Sequence, residues 1–228
     1  MTPLPRRFYA KAAAHGRSVL LDTSILRTPG GKEIVLPTTA MASAIAAEWE
    51  AQGDHIILKS MPLTSLVYGV FDRVQDDMAG IRNDVLKYLG TELVCHYSDN
   101  TDVLAFQKAR WQPLHAWLQK TYGTTLPVTT TLQAMPEGDT AWAAQQIGTY
   151  DAFRLAALYN AVHLTGSFVI GLALVEGRLN AAEALGAAEA EADYQAEKWG
   201  ADDELVQRRI ALGAELASVQ NFVNLLKA

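Results

Sequence analysis

The chain is nearly without cysteine: Cys95 is the only one among 228 residues. One thiol cannot form an intramolecular disulfide or a multi-cysteine metal site, and an unpaired thiol suits a reducing compartment. Its neighbours Leu93, Val94 and Tyr97 point to a packing role, since buried cysteine behaves as a small hydrophobe. Long apolar runs are also missing. The most apolar stretch, Phe168 to Val175, is too short for the ~20 residues that a membrane span requires, so no membrane insertion is expected. Positive charge is in short supply. The formal net charge is -6 and the pI is about 5.4, with Lys and Arg scattered along the chain. A general nucleic-acid binder needs a basic face, so no nucleic acid is expected as a partner. Met1 to Ala14 carries Arg6, Arg7 and Lys11 but no apolar core of a secretory signal, and no Arg- and Ser-rich transit peptide precedes the globular part. A soluble intracellular protein is expected.

Catalytic and cofactor signatures are as sparse. The five histidines, His15, His55, His96, His115 and His163, include no i, i+4 pair of the kind that holds a metal on a helix, and no cysteine supports them. Gly30-Gly31-Lys32 looks superficially like a phosphate loop. It lacks the upstream glycine, and Glu33 stands where Ser or Thr is required, so it reads as a hairpin turn. There is no G-x-G-x-x-G after a strand and no G-x-S-x-G elbow; Gly166-Ser167-Phe168 lacks the second glycine. These absences predict neither cofactor nor metal and no catalytic residues.

Half of the residues are apolar, enough for a substantial core and against intrinsic disorder. The first forty residues read as β. Val19-Leu20-Leu21, Ile25-Leu26 and Ile34-Val35-Leu36 are short apolar runs separated by Asp22-Thr23-Ser24 and Pro29-Gly30-Gly31-Lys32, with an edge strand around Arg7 to Ala10. So small a sheet must pack on a helix. That helix follows Pro37, capped by Thr38 or Thr39, with Met41, Ala42, Ile45, Ala46 and Trp49 forming one apolar stripe and Gly53 ending it. Trp49 is expected in the core.

From about residue 60 the pattern is helical. Pro62 opens a helix over Leu63 to Val74, and Ile81 to Leu89 forms the next. Val103 to Trp111 follows, and Pro113 is expected to break or restart it. Leu126 to Pro136 reads as a Thr-rich loop with a short extended piece. Asp151 to His163 is amphipathic, Ser167 to Glu176 is a buried central helix, Ala181 to Trp199 is one helix of high propensity, and Glu204 to Leu226 is the last. The expected architecture is α+β: a small N-terminal antiparallel β domain with its first helix over residues 1–58, then a larger all-helical domain over 59–228.

Glu183, Glu189, Glu191, Asp193 and Glu197 crowd one helical segment, and a charge run ordinarily marks a solvated face. Glu191, Gln195 and Trp199 fall at i, i+4 and i+8, which stacks them along one helix face. A carboxylate, an amide and an indole in line can anchor a protein partner. The bland alternative puts Trp199 in the core and leaves Glu191 and Gln195 merely exposed. A hydrolase using the acidic cluster with His163, or a helical scaffold for some other protein, are the competing readings of function.

Taken in order, these segments resemble a family of assembly chaperones specific to the ATP synthase α subunit. The resemblance begins at Arg7-Phe8-Tyr9 and runs through Leu21-Asp22, Thr28-Pro29, Leu36-Pro37-Thr38, Glu48-Trp49 with Gln52, Met61-Pro62-Leu63-Thr64 and Asp72. It continues through Tyr88-Leu89, Thr91, Cys95, Gln107, Trp111 and Pro113-Leu114 to Ser167, Glu191, Gln195 and Trp199-Gly200. Two departures stand out: Asp22-Thr23-Ser24 where the family has Asp-Gly-Arg, and no histidine in Ala201-Asp202-Asp203-Glu204 after Gly200. The resemblance implies a non-enzymatic chaperone that holds unassembled α subunit until the β subunit arrives; nothing in the sequence demands self-association, so a monomer is expected. It implies a place in the bacterial cytoplasm, or in the mitochondrial matrix for an organellar chain. It makes Glu191 the first candidate for partner binding, with Gln195 and Trp199 beside it. Trp49 and the stretch Met61, Pro62, Leu63 and Thr64 become a family motif with a structural role.

Overall fold

The computed structural model describes residues 4–130 and 140–228. The fold is α+β: a three-stranded antiparallel sheet at the N-terminal end, then helices. Strands β1 (Ala12–His15), β2 (Ser18–Leu21) and β3 (Ser24–Ile25) lie in the order β1-β2-β3. The register pairs Ala12 with Leu21 and Leu20 with Ile25. Helices α1 (Thr39–Glu50), α2 (Pro62–Gly69), α3 (Met78–Leu86), α4 (Thr101–Tyr122) and α5 (Ala141–Gly148) come next. They are followed by α6 (Ala152–Thr165), α7 (Phe168–Val175), α8 (Ala181–Ala188), α9 (Ala190–Trp199) and α10 (Asp203–Leu226).

The chain divides into two compact units. The first holds residues 1–78, 152–157 and 221–228, and the second holds 79–151 and 158–220. Residues 58 and 59 both lie in the first unit, where one carboxylate links the two sides of that position. Glu48, near the end of α1, accepts from the backbone N–H of Leu63 at 2.8 Å and from Thr64 N–H at 2.8 Å and Oγ1 at 2.7 Å. These are donors of the first turn of α2, which has no partners of its own for them, and a negative charge there also meets the positive end of the helix dipole. Pro62 is the first residue of α2, where its missing N–H costs nothing. The stretch Met61 to Thr64 is thereby fastened to α1, with Met61 fully buried.

In the first unit the sheet packs on α1. Thr38 caps α1 by accepting from Met41 N–H at 3.1 Å, and Met41, Ile45 and Trp49 are buried on its inner stripe, so Trp49 sits in the core as its spacing implies. The segment around Arg7 to Ala10 is not a strand. Only Arg6 makes a bridge, to His55, because the Arg7 guanidinium takes the backbone instead. It donates to the carbonyls of Gln52 at 2.5 Å, Ala10 at 2.9 Å and Glu50 at 3.1 Å. Ile34-Val35-Leu36 is not a strand either. Its hairpin partner is reduced to one Arg27–Glu33 bridge, since the turn before it is held from outside by Asp72, which accepts from Thr28 Oγ1 at 2.5 Å and Gly30 N–H at 3.0 Å. A Cβ at Gly30 would lie 2.7 Å from Asp72 Oδ1, so a side chain there would displace the carboxylate that holds the turn. The helix expected to reach Val74 leaves α geometry at Gly69 and finishes as one wide turn over Val70–Val74. Phe153 completes this core, its ring 5.8 Å from Phe71 and 6.2 Å from Phe222.

In the second unit α7 is buried along its whole length, as its composition implies. Val162 of α6 comes so close to it that a Cβ at Gly171 would sit 2.8 Å from Val162 Cγ2 and 2.9 Å from its backbone nitrogen. Pro113 neither breaks nor restarts a helix; α4 runs unbroken from Thr101 to Tyr122. The buried contacts of Trp111, Leu114 and Leu118 on the two sides of the proline outweigh the hydrogen bond it removes. Ala181 to Trp199 is two helices, parted at Glu189, where the backbone leaves helical geometry. The carboxylate of Glu189 is drawn to Arg208, 2.6 Å away. Of the Thr-rich stretch 126–136, residues 131–136 lie outside the described residues; before them, Thr129 N–H donates to Cys95 carbonyl at 2.8 Å.

Candidate partner-binding site

Helix α9 is held by one side only. Tyr194 packs its ring against Phe106 of α4 with centroids 5.9 Å apart. Lys198 donates to Tyr194 Oη at 2.8 Å and reaches Asp102 Oδ2 at 3.4 Å. The Tyr194 hydroxyl and then Asp102 hold the Lys198 ammonium above its usual value. Asp193 is gripped from two helices, by Arg110 of α4 at 3.8 Å and by Arg209 of α10. Ala190 is buried. These contacts fix the inward face.

The outward face carries Glu191, Gln195 and Trp199, brought into line by the helical period. All three are exposed, and Trp199 is 71% exposed, so the core placement of Trp199 fails. Gln195 Nε2 donates to Glu191 Oε1 at 3.3 Å, which orders the carboxylate without neutralising it; Glu191 makes no ion pair among the described residues. The Trp199 ring meets Tyr194 edge-on at 6.1 Å and has the Lys198 ammonium 5.7 Å from its centre. An indole left mostly in solvent is a large apolar surface that can anchor a partner at low entropic cost. Gly200 ends α9 with φ of 86°, a left-handed value that a side chain disfavours, and turns the chain into α10. There Val206 and Ile210 are exposed as well.

Sequence reasoning singled out the line Glu191, Gln195 and Trp199 but missed what aims it. Asp193, Tyr194 and Lys198 are the inward residues that fix its direction, and their signal was the i, i+4 spacing of Tyr194 and Lys198. It also missed Glu92. That carboxylate is buried, accepts from the Ser167 hydroxyl and from Val169 N–H at 3.2 Å, and so sits on the N-terminus of α7. Burial pushes it up to about 7, against the downward pull of those hydrogen bonds. Cys95, three residues on, is fully buried, and burial, then the Glu92 charge, pushes its thiol up to about 12, which leaves it unreactive.

The acidic cluster does not assemble with His163. The His163 ring lies against Tyr159 at 4.0 Å and Tyr88 at 5.3 Å, with Asp84 as its acidic neighbour at 4.0 Å. Among the described residues no group of three or more His, Cys, Asp or Glu side chains could hold a metal ion, and no helix is long and apolar enough to cross a membrane.

Helix α9 thus presents an exposed carboxylate, amide and indole in line on a face braced from behind. Comparison with known proteins places the chain in a family. The family model described as ATP12 chaperone protein matches residues 6–119. The crystal structure of Atp12 from Paracoccus denitrificans superposes with a TM-score of 0.90 at 30% identity, covering 97% of this chain and 98% of that one. An aspartate-to-lysine variant of the same bacterial protein gives 0.90 at 31% over the same shares. The mitochondrial protein atp12 of Schizosaccharomyces pombe is 24% identical over 253 residues, spanning 95% of this chain and 84% of the yeast protein. The chain belongs to the ATP12 chaperone family, non-enzymatic assembly chaperones of the F1 sector of ATP synthase.

Proposed function

We propose that this chaperone holds the unassembled α subunit of F1 through the outward face of α9, with Glu191, Gln195 and Trp199 as the contact, and gives it up to the β subunit during assembly. The family supports an F1 subunit as the partner; the α subunit is the finer reading that the resemblance of the sequence favours. The observation that carries the reading is Trp199, 71% exposed on the same helix face as the Glu191 carboxylate, which makes no ion pair among the described residues. An orphaned subunit exposes apolar interface that otherwise self-associates. A temporary partner offering one aromatic anchor and one charge covers part of that surface and is displaced by mass action when the permanent neighbour arrives. No nucleotide needs to be hydrolysed. The place of action follows from the partner: the cytoplasm of a bacterium or the mitochondrial matrix, wherever F1 is put together.

The test is light scattering of purified isolated α subunit at rising temperature, with and without the chaperone. The wild-type protein is expected to suppress aggregation near equimolar ratio. Glu191→Lys is expected to need at least about tenfold more protein, the effect of losing one interface hot spot, while its circular dichroism and melting temperature stay unchanged. A folded Glu191→Lys protein that protects as well as the wild type removes this face from the site.

A further inference from the structure

We infer that the segment of the client that α9 receives is a basic amphipathic helix, lodged in the groove between α9 and α10. This rests on the outward face of α9 being the contact for the α subunit. The groove has a volume of about 370 Å³, within the ~300–1,000 Å³ span of ligand-binding clefts. Ala192 and Ala196 of α9 and Leu205 and Val206 of α10 supply apolar lining. The groove adjoins the line of Glu191, Gln195 and Trp199: Trp199 follows Ala192 by seven positions and Ala196 by three, so these residues share a side of the helix. Ile210, one turn beyond Val206, is exposed as Val206 is, which extends the apolar surface along α10.

Charge selects the occupant. From Glu189 to Arg209, the first and last residues of the groove, seven acidic side chains stand against three basic ones. That stretch carries a formal -4, against -6 for all 228 residues. Its three basic groups are already engaged: Lys198 pairs with Asp102, Arg208 with Glu189 and Arg209 with Asp193. Glu191, Glu197, Asp202, Asp203 and Glu204 make no ion pair among the described residues. Like charges gathered in this way repel one another at a cost to the fold, and a cationic partner relieves that cost while covering the apolar lining. Phosphate backbones and anionic lipid surfaces carry the wrong sign, and so does a second copy of this chain. The walls select the form of the partner. Backbone groups of α9 and α10 are engaged in their own helical bonds, so an extended segment finds no edge to pair with. A helix satisfies its own backbone and needs only side-chain contacts, and alanines at 192 and 196 let its axis come within the ~8–10 Å of ordinary helix packing.

The experiment uses the full chain and a fluorescein-labelled eighteen-residue peptide of leucine and lysine with the leucines on one helix face, followed by fluorescence anisotropy. Saturable binding in the micromolar range is expected, and binding at least about tenfold weaker for a peptide of the same composition in strict alternation. Glu197→Gln alters an exposed side chain and is expected to weaken binding about threefold to fivefold at about 50 mM salt, with the loss shrinking at about 500 mM. Val206→Ser is expected to weaken it about fivefold to tenfold at both. Glu215→Gln, which alters an exposed acid of α10 outside the groove, is expected to change nothing. Absence of saturable binding overturns the inference, as do equal affinities for the two peptides, indifference to Glu197→Gln and Val206→Ser, or an equal loss in Glu215→Gln. The peptide is read without any F1 subunit, so failure here leaves the Glu191→Lys aggregation test standing. In the light-scattering assay, saturating peptide is expected to abolish protection of the α subunit. Protection that persists with the groove filled overturns the inference, because the client then binds elsewhere. A Glu191→Lys protein that protects fully removes the face, and the inference with it, even where the peptide binds.

Discussion

Replacing Glu92 by Gln changes how the stability of this protein depends on pH, and the size of the change follows from one buried carboxylate. Glu92 has an ordinary value of 4.5 and is pushed up to about 7 in the folded protein. At ~1.4 kcal/mol for each tenfold change in proton affinity, that gap amounts to about 3 kcal/mol. The folded value is the higher one, so folding takes up a proton at Glu92 between pH 4.5 and about 7. Its contribution is complete below 4.5 and is lost as pH rises through about 7. Glutamine is neutral throughout, keeps the shape of the side chain, and can still accept from Val169 N–H while its amide donates to Ser167 Oγ. From about pH 5 to about pH 8.5 the wild-type protein is therefore expected to lose about 3 kcal/mol relative to Glu92→Gln. For a chain of this length that is a relative change of roughly 6–12 °C in melting temperature. Urea denaturation followed by far-ultraviolet circular dichroism measures it across the range. Because the chain has two compact units and need not unfold as one, hydrogen exchange of the α7 amides supplies a local readout at the carboxylate itself. Stability curves for wild type and variant that run parallel over the whole range refute the reasoning, since Glu92 would then titrate alike in the folded and unfolded chain.

Three further outcomes are expected. Glu48→Ala leaves the Leu63 and Thr64 donors without their acceptor and is expected to cost about 2–4 kcal/mol, read as a lowered urea midpoint. Gly30→Ala collides with Asp72 and is expected to cost about 1–3 kcal/mol, but nearly nothing in an Asp72→Ala background, a non-additivity that a double-mutant cycle exposes. Cys95 in the native protein is expected to react with a thiol reagent at about pH 8 orders of magnitude more slowly than in urea; equal rates would mean the site is open to solvent.

Much of the fold was legible because its elements are local. The cap at Thr38, the stripe ending at Trp49, the buried run at Ser167 to Glu176 and the final helix are each written in a span of about a dozen residues, where period and cap chemistry suffice. Three of the failures come from distant partners. Nothing near Ile34 tells that Asp72, some forty positions on, will claim the preceding turn. Nothing near Pro113 tells that Trp111 will donate to the Ala187 carbonyl at 2.8 Å and that α4 will keep its line across the proline. The break at Glu189 is of the same kind, since Ala-rich sequence on both sides favours a continuous helix and an arginine from α10 stands at the junction. For the candidate face, spacing told which three residues share a side of α9. It did not tell which side, because that depends on Asp193, Tyr194 and Lys198 finding partners on α4 and α10.

This contrast separates the residues that resemble the family into two groups with different consequences. Arg7, Thr28, Glu48, Trp49, Asp72 and Trp111 are each engaged inside the chain, by hydrogen bonds to distant backbone or by burial. Their substitution acts through stability, in the range that broken buried networks and cavities give, and any loss of chaperone action should return when the protein is stabilised by other means. Glu191, Gln195 and Trp199 contact almost nothing in the chain. A fold gains little from an indole left 71% exposed, so its presence there is not explained by folding. Substitution of Trp199 by Ala should leave the urea midpoint within about 0.5 kcal/mol of wild type while weakening protection of the α subunit. The two groups are thus told apart by whether activity and stability fall together. A Trp199→Ala protein whose activity loss is matched by an equal loss of stability, and is repaired by stabilising the fold, would move that residue into the first group and leave α9 without its anchor.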